Sequence, residues 1–290
     1  MTSVGRRRLL LCPGAAYAGP RWVARMLAEH PDVFVPPLPD LHYLDHRLGL
    51  SQHLSDAKRR SRRRRYVQRV LTQWGRSAEL GPQWGWYRHY ARGPVDDAWY
   101  AKALDPDGRG RVAVDITPDY VLAGRDGMAA LAAAVPGARV VYLMRNPVTR
   151  MWTHMLHTSR DRGRDAAREP LEALVALAEE PWLAAHADYG RALDNLEAAF
   201  GASHVLAMFT EELMEDRAGH LERICALLDI PFHEQMFPEL ARRAVRSDDI
   251  AVPDAIRAHL RRSLQPTVEA VRQRLGRIPQ GWEEEFAAAV

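Results

Sequence analysis

Short runs of mainly apolar residues, each ended by turn-forming residues, predict the strands of this chain. The first run, residues 8–12, stops at Pro13-Gly14, which predicts a buried strand that enters a loop. Apolar side chains then recur with helical spacing at Trp22, Val23, Met26 and Leu27. This periodicity predicts a helix that ends before Pro31. The chain therefore begins with a strand, a loop and a helix.

Further predicted strands are separated by predicted helices. Residues 111–115, 138–143 and 205–209 have the pattern of strands, whereas residues 127–134 and 182–200 have that of helices. Strands that alternate with helices are typical of a parallel sheet covered on both faces. We therefore predict the α/β class, with residues 1–290 forming a single domain and helices and loops from Glu211 onward.

The bulk composition fits a globular protein of this class. The chain has 290 residues, of which 47% are hydrophobic and 27% charged, enough for one sizeable core. No run approaches the roughly 20 apolar residues of a membrane helix, so we expect no membrane span.

Cysteine usage and the N-terminus bear on the compartment. Cys12 and Cys225 are the only cysteines, and both lie in apolar patterns, so we expect buried free thiols in a reducing compartment. The arginines at 6–8 imitate a secretory signal. However, Pro13 interrupts the apolar stretch well before the roughly 7 to 15 residues that such a signal needs. We expect a cytoplasmic protein.

The positive charge is concentrated in one arginine-rich segment, residues 51–74. The formal net charge is +3, and this segment contains the run RRRR at 62–65. The pattern predicts either a helix with a solvated charged face or a patch that binds a polyanion or nucleic acid. No aromatic residue lies among the arginines before Tyr66, so the stacking platform of single-strand binders is missing. Nucleic acid is not an expected partner.

The loop after the first strand is a candidate phosphate site. Free backbone amides and the helix dipole both favour negative charge at such a loop. The loop lacks the Gly-Lys-Ser/Thr ending of an NTPase P-loop, which argues against ATP or GTP hydrolysis. Arg21 is either an anion ligand or a surface arginine. The candidate residues are Gly14, Ala15, Ala16, Tyr17, Ala18, Gly19, Pro20 and Arg21.

A second candidate anion site follows the strand predicted at 138–143. There Arg145 lies at the carboxyl end of the strand, the usual binding edge of a parallel sheet, and Thr153 lies in the next helix. Taken alone, an arginine in this place is more often structural. His154 and His157 share a helix face, but no third ligand accompanies them, so we expect no metal site.

The segment from Arg145 to Thr153 resembles a motif of the sulfotransferase family, and more closely of the branch related to the heparan sulfate sulfotransferases. Members carry Arg-Asn/Asp-Pro-x-x-Arg-x-x-Ser after a strand, and Thr153 keeps the hydroxyl of that serine. Three further segments follow the family order: HPDV at 30–33, WY at 86–87 and VDITPDY at 114–120. A weaker resemblance extends to Tyr189 and residues 227–230.

This resemblance implies a P-loop-NTPase-like sulfotransferase fold and 3′-phosphoadenosine-5′-phosphosulfate as co-substrate. In the family, the first arginine and the serine of the motif hold the 3′-phosphate, which assigns that role to Arg145 and Thr153. The loop at 14–21 would hold the 5′-phosphosulfate. The implied partners are this nucleotide sulfate donor and a hydroxyl or amine acceptor.

The chain departs from the family pattern at three positions. Tyr17 stands where members usually place a lysine that contacts the 5′-phosphosulfate, and a tyrosine supplies no positive charge. Pro20 replaces a threonine, so a hydroxyl and a backbone donor are lost. Ile116 stands where many members of the branch have a second lysine. Arg21 matches an arginine found in some members.

The acceptor side of the family pattern matches residues 40–44 (DLHYL). Members carry a glutamate there that acts as base, and Asp40 keeps the carboxylate on a shorter side chain. The resemblance therefore makes Asp40 the candidate base and His42 a candidate relay, with Asp115 at a further acidic position near the acceptor. The alternative interpretation is structural: Asp40 would be a loop or capping carboxylate, and His42 a histidine packed in the core.

The sequence thus predicts a sulfotransferase that moves a sulfuryl group to a hydroxyl or amine of a small-molecule or glycan acceptor. Such transfer needs positioning and electrostatic stabilisation rather than a metal. One alternative is a catalytically impaired or repurposed member that binds the nucleotide, favoured by the absence of the loop lysine. A further alternative is a polyanion binder that acts through the arginines at 59–65.

Overall fold

A five-stranded parallel sheet forms the centre of the computed structural model, which describes residues 8–72, 80–241 and 251–287. Its strands are β1 (Leu9–Cys12), β2 (Val33–Phe34), β3 (Val112–Ile116), β4 (Arg139–Met144) and β5 (Val205–Phe209). They lie in the order β2-β3-β1-β4-β5. The central strand β1 pairs with β3 through Leu10 and Val114, and with β4 through Leu10 and Arg139.

The strands are apolar because helices cover both faces of the sheet. Every residue of β1 and of β3 is buried, as expected for a parallel sheet packed on two sides. The buried apolar residues of the described segments form one continuous core. Since all five strands are parallel, their carboxyl ends meet at one edge, and the loops that follow them share that edge.

Fourteen α-helices surround the sheet in the described part of the chain. They are α1 (Pro20–Leu27), α2 (Tyr43–Arg47), α3 (Asp56–Thr72), α4 (Leu80–Tyr90), α5 (Asp97–Leu104), α6 (Gly124–Ala134), α7 (Pro147–Asp161), α8 (Leu171–Ala178), α9 (Pro181–Ala185), α10 (Tyr189–Phe200), α11 (Thr210–Glu215), α12 (Arg217–Leu227), α13 (Asp254–Leu275) and α14 (Gln280–Ala287). Short 3-10 helices supplement them, including Pro118–Ala123 after β3.

The predicted α/β class and parallel sheet are confirmed, with two differences. Strand β2 has only two residues, too few to leave a pattern in the sequence. The helix expected over 182–200 is two helices, α9 and α10, separated by residues 186–188. The break occurs because Asp188 caps α10 by accepting a hydrogen bond from the backbone amide of Arg191.

Within the arginine-rich segment, residues 56–72 form helix α3, whereas residues 51–55 form a turn before it. The face of this helix is not uniformly solvated. Arg59 is 1% exposed, and its guanidinium donates to the carbonyl oxygens of Tyr90, Arg92 and Gly93. Arg60, Arg64 and Arg65 are exposed. The prediction of a solvated face therefore holds for only part of the run, and residues 73–74 of the predicted segment lie outside the described residues.

Both cysteines are buried free thiols, as predicted. Across residues 8–72, 80–241 and 251–287, no helix combines the length and apolar character that a bilayer crossing requires. The arginines at positions 6 and 7 of the N-terminal basic run lie outside the described residues.

Candidate functional site

The loop between β1 and α1 is anchored to β4 at the carboxyl edge of the sheet. The backbone amide of Ala15 donates to the carbonyl of Leu143 at 2.7 Å, and the amide of Leu143 donates to the carbonyl of Gly14 at 3.0 Å. Gly14 has φ 146°, and an added Cβ would lie 2.9 Å from Cε2 of Tyr142. A side chain at position 14 is therefore excluded both by conformation and by space.

Free backbone donors line this loop. The amides of Ala16, Tyr17 and Gly19 donate to no backbone carbonyl of the described chain, and they precede the N-terminus of α1. Thr210, which follows β5, fixes the far side of the loop by donating to the carbonyl of Ala18 at 2.5 Å. An array of free amides at a helix N-terminus is suited to bind an anion. Arg21 is exposed in the first turn of α1.

Arg145 extends from the end of β4 over the same loop. Its Nη1 lies 3.4 Å from the carbonyl oxygen of Tyr17, to which it donates. The backbone carbonyl of Arg145 accepts a hydrogen bond from the hydroxyl of Tyr189 at 2.8 Å. Asn146 then caps α7 by accepting from the amides of Val148 and Thr149. The two anion sites predicted from sequence therefore lie side by side.

Thr153 lies on α7, two turns beyond Arg145. It is half-buried, and its hydroxyl donates to the carbonyl of Thr149 at 2.8 Å. This bond uses the hydroxyl proton, so the oxygen would interact with a ligand only as an acceptor unless the side chain rotates.

Tyr17 packs against helix α7 instead of lying in open solvent. Its ring stacks on His157 at 4.8 Å between centroids and contacts His154 at 4.7 Å. Burial raises the pKa of the Tyr17 hydroxyl, so this group is a neutral donor at physiological pH. Burial and the charge of Arg150 lower the pKa of His154 to about 2, so its ring is neutral as well. The side chains of this cluster bring no cation to the loop.

Asp40 lies at the carboxyl end of β3, near the loop at 14–21. Its backbone amide donates to the carbonyl of Ile116 at 2.8 Å, and it has φ 54°. Burial raises the pKa of its carboxyl, and the neighbouring His42, Arg62 and Arg21 partly offset that effect. Asp40 is therefore a stronger base than an exposed aspartate.

His42 is buried and held in one orientation. Its Nδ1 lies 2.8 Å from Oδ2 of Asp45, and its backbone amide donates to Oγ1 of Thr117. The ring stacks on His53 at 4.1 Å between centroids. With Nδ1 bonded to a carboxylate, Nε2 is the nitrogen that remains for a ligand or a proton.

Asp115 is part of the frame beneath the site. It is 0% exposed, and its carboxylate accepts hydrogen bonds of 2.7 Å from the hydroxyls of Tyr100, Thr117 and Tyr120. Burial raises the pKa of this carboxyl despite those three donors. An acceptor has no route to a side chain so enclosed, which favours a structural role over the catalytic role expected from sequence.

Several residues of this edge were not found from sequence. Thr210 could have been identified as a candidate, because it directly follows the carboxyl end of the strand predicted at 205–209. Arg62, which holds the Asp40 segment, was hidden in the arginine run. Asp119 and His53 lie beside His42, but no pattern in the sequence connects them.

A model described as the sulfotransferase family matches residues 12–234, which is more than three quarters of the chain. No curated protein sequence matches this chain.

Solved sulfotransferase structures share the fold. A sulfotransferase from Alicyclobacillus acidocaldarius is 20% identical with a TM-score of 0.66, over 97% of this chain and 100% of that one. The sulfotransferase domain of the Synechococcus PCC 7002 olefin synthase is 18% identical with a TM-score of 0.53, over 94% of this chain and 95% of that one. Sulfotransferase STF9 from Mycobacterium avium is 13% identical with a TM-score of 0.52, over 93% of this chain and 76% of that one. The family match and the fold shared with these structures lead to the same assignment: the chain belongs to the sulfotransferase family.

Proposed function

We propose that this protein transfers the sulfuryl group of 3′-phosphoadenosine-5′-phosphosulfate to a hydroxyl or amine of a small-molecule or glycan acceptor. The contact between the Arg145 guanidinium and the Tyr17 carbonyl at 3.4 Å carries this proposal. This contact brings the motif from Arg145 to Thr153 next to the loop at 14–21, at the carboxyl edge of the sheet. A single nucleotide with two charged ends would span both.

The donor set fits such a nucleotide. The amides of Ala16, Tyr17 and Gly19, together with Arg21, would hold the 5′-phosphosulfate end. Arg145 would hold the 3′-phosphate together with Thr153, whose hydroxyl must first rotate away from the carbonyl of Thr149 to donate to it. Negative charge grows on the 5′-phosphate oxygen as the sulfur–oxygen bond breaks, and fixed amide dipoles stabilise that charge without reorganising.

Asp40 would act as the general base. Its carboxylate takes the proton of the acceptor while the acceptor oxygen or nitrogen forms a bond to sulfur. The bond between sulfur and the bridging phosphate oxygen breaks, and its electron pair leaves with 3′-phosphoadenosine-5′-phosphate. The raised pKa of the Asp40 carboxyl favours this transfer, because a more basic carboxylate accepts the proton earlier. His42, oriented by Asp45, would relay the proton where the acceptor does not reach Asp40.

Tyr17 supports a second candidate function, a repurposed member that binds the nucleotide without turnover. Its neutral phenol replaces the cation that the family resemblance places next to the transferred group. The ring also packs against His154 and His157. A polyanion site along residues 59–65 has weaker support, since Arg59 is buried and Arg62 is bonded to the Asp40 segment.

Calorimetric titration with 3′-phosphoadenosine-5′-phosphate tests the nucleotide site. We expect saturable binding by the wild type and an about 30-fold or greater loss in Arg145→Ala, equivalent to 2 kcal/mol or more. Arg168→Ala is the matched control, because that arginine is exposed on a short helix after α7. Absence of wild-type binding would reject both the enzyme and the repurposed binder.

An acceptor panel then separates these two functions. With the sulfate donor present, an enzyme gives sulfated product that Asp40→Asn loses while keeping nucleotide affinity. Binding without product, over alcohol, phenol, amine and glycan acceptors, supports the repurposed binder.

A further inference from the structure

Beside the proposed base, two histidines and a carboxylate from three separate segments converge. One donor atom from each of His42, His53 and Asp119 lies within 4.8 Å of the other two. His42 precedes α2, His53 lies in the loop before α3, and Asp119 lies in the 3-10 helix after β3. Convergence of side chains from separate segments requires the tertiary fold, so it is not a by-product of helical spacing.

We propose that His42, His53 and Asp119 form a binding site for a divalent transition-metal ion of the Zn²⁺ class. Imidazole nitrogen and carboxylate oxygen are ligands that Zn²⁺ accepts, whereas Mg²⁺ and Ca²⁺ prefer oxygen alone. Three protein ligands leave one tetrahedral position for water or an acceptor hydroxyl. This site departs from the sequence-based expectation of no metal. It does not depend on the proposed sulfuryl transfer, but an ion bound to His42 would occupy the nitrogen proposed above as proton relay.

The supporting residues already orient two of the three ligands. Oδ2 of Asp45 lies 2.8 Å from Nδ1 of His42, and the other Asp45 oxygen accepts a hydrogen bond from the amide of His46. A carboxylate behind a histidine fixes the tautomer that presents Nε2 to a metal. His186 is 1% exposed, and its Nε2 lies 3.5 Å from Oδ1 of Asp119, which positions the third ligand.

Closing the site requires movement mainly of His53. Donors around a tetrahedral Zn²⁺ are about 3.4 Å apart, given bonds of about 2.1 Å, so the 4.8 Å spread must contract. His53 is exposed and is stacked on His42. As an exposed side chain, His53 can change rotamer once it leaves this stack, and the proposal requires that its nitrogen then approaches the other two ligands.

Titration of the chelator-treated, dialysed full chain with Zn²⁺ tests the proposal. The wild type should bind about one ion per chain with high affinity, and Mg²⁺ should give no comparable heat. In Co²⁺-loaded protein, visible absorption should indicate tetrahedral nitrogen and oxygen ligands. Because the readout is metal binding without turnover, its failure leaves the proposed transferase function untouched.

Variants decide whether these residues are the ligands. His53→Ala should weaken Zn²⁺ binding by more than the about 10- to 100-fold expected for Asp45→Asn, which removes only a supporting partner. His259→Ala, at a histidine on α13, is the control for adventitious binding by the 12 histidines of the chain. Zn²⁺ should raise the melting temperature of the wild type and of His259→Ala, but not of His53→Ala.

Two results overturn the site: no stoichiometric Zn²⁺ binding by the wild type, or equal affinity in wild type and His53→Ala. Since His53 is exposed, its replacement leaves the core intact, and circular dichroism of the variant verifies the fold.

Discussion

Arg62 donates a hydrogen bond from Nη1 to the backbone carbonyl oxygen of Asp40 at 2.7 Å. The same guanidinium donates to the carbonyl of Pro39 and to the hydroxyl of Tyr90. An arginine in the most charged helix of the chain therefore fixes the backbone of the proposed base, which is why the run at 59–65 is not simply a solvated surface.

Replacing Arg62 by alanine should destabilise the fold and lower turnover together. Loss of three hydrogen bonds made by a charged group is expected to reduce the free energy of unfolding by about 1–3 kcal/mol. Because Asp40 then loses its fixed position, kcat should fall more than nucleotide affinity. Urea unfolding, steady-state kinetics and calorimetry measure these effects. The control Arg64→Ala, at an exposed position of α3, should change stability by less than about 0.5 kcal/mol. Equal behaviour of the two variants would contradict the role of Arg62.

Turnover should decrease on the acid side at a higher pH than an ordinary aspartate would give. The base must be ionised, and burial raises the pKa of the Asp40 carboxyl. We therefore expect the acid limb of the kcat/KM profile at a higher pH than the titration of a free aspartate. In Arg62→Ala, where a neighbouring positive charge is lost, it should shift further upward. An acid limb at the pKa of about 3.9 of a free aspartate argues against Asp40 as the base.

Asp40→Asn should abolish turnover and stabilise the fold at neutral pH. A carboxyl with a raised pKa binds more protons in the folded than in the unfolded state, so its contribution to stability becomes less favourable as pH rises through that window. At pH 7 the variant should melt at a higher temperature than the wild type. The difference should shrink below about pH 3.9, where both states of the wild type are protonated. A lower melting temperature of the variant at pH 7 would show that the Asp40 charge is net stabilising.

Tyr17→Lys should increase turnover about tenfold or more, because it places an ammonium in the loop proposed to hold the 5′-phosphosulfate. A single donor to a developing charge is worth about 10²- to 10³-fold in other enzymes. Tyr17→Phe is the matched control: it keeps a ring against His154 and His157 and removes the hydroxyl. Initial rates of sulfate transfer compare the three proteins. If lysine and phenylalanine give the same rate, position 17 does not contact the transferring group.

Asp115→Ala should reduce stability without acting on the chemistry directly. Three buried hydroxyls lose their common acceptor, so we expect a loss of about 2–4 kcal/mol in the free energy of unfolding. Asp115→Asn keeps one acceptor oxygen and should lose less, while retaining nucleotide affinity and measurable turnover. Normal stability of Asp115→Asn combined with complete loss of turnover would instead assign Asp115 a catalytic role.

Much of the fold was accessible from local patterns. The bounds of β5 coincide with the run predicted at 205–209, and β1, β3 and β4 differ from prediction by at most one residue at each end. These strands are mainly apolar, apart from Asp115 in β3 and Arg139 in β4, so each stands out against its flanks. Strand β2 escaped because two residues carry no periodicity.

The partners of the site residues were not accessible in this way. Arg62 and Asp40 are 22 residues apart, and Thr210 and Ala18 are 192 apart. Such contacts depend on which strands are neighbours, and the order β2-β3-β1-β4-β5 leaves no trace in local periodicity.

The sequence by itself determined four of the five strands, the first loop and the Arg145 motif, because backbone hydrogen bonding and burial constrain neighbouring residues directly. Only the tertiary structure decided that Arg145 contacts the loop, that Asp115 is enclosed by hydroxyls, and that His42 meets His53 and Asp119. Each of these depends on how separate elements pack, and packing brings together side chains whose positions along the chain are unrelated.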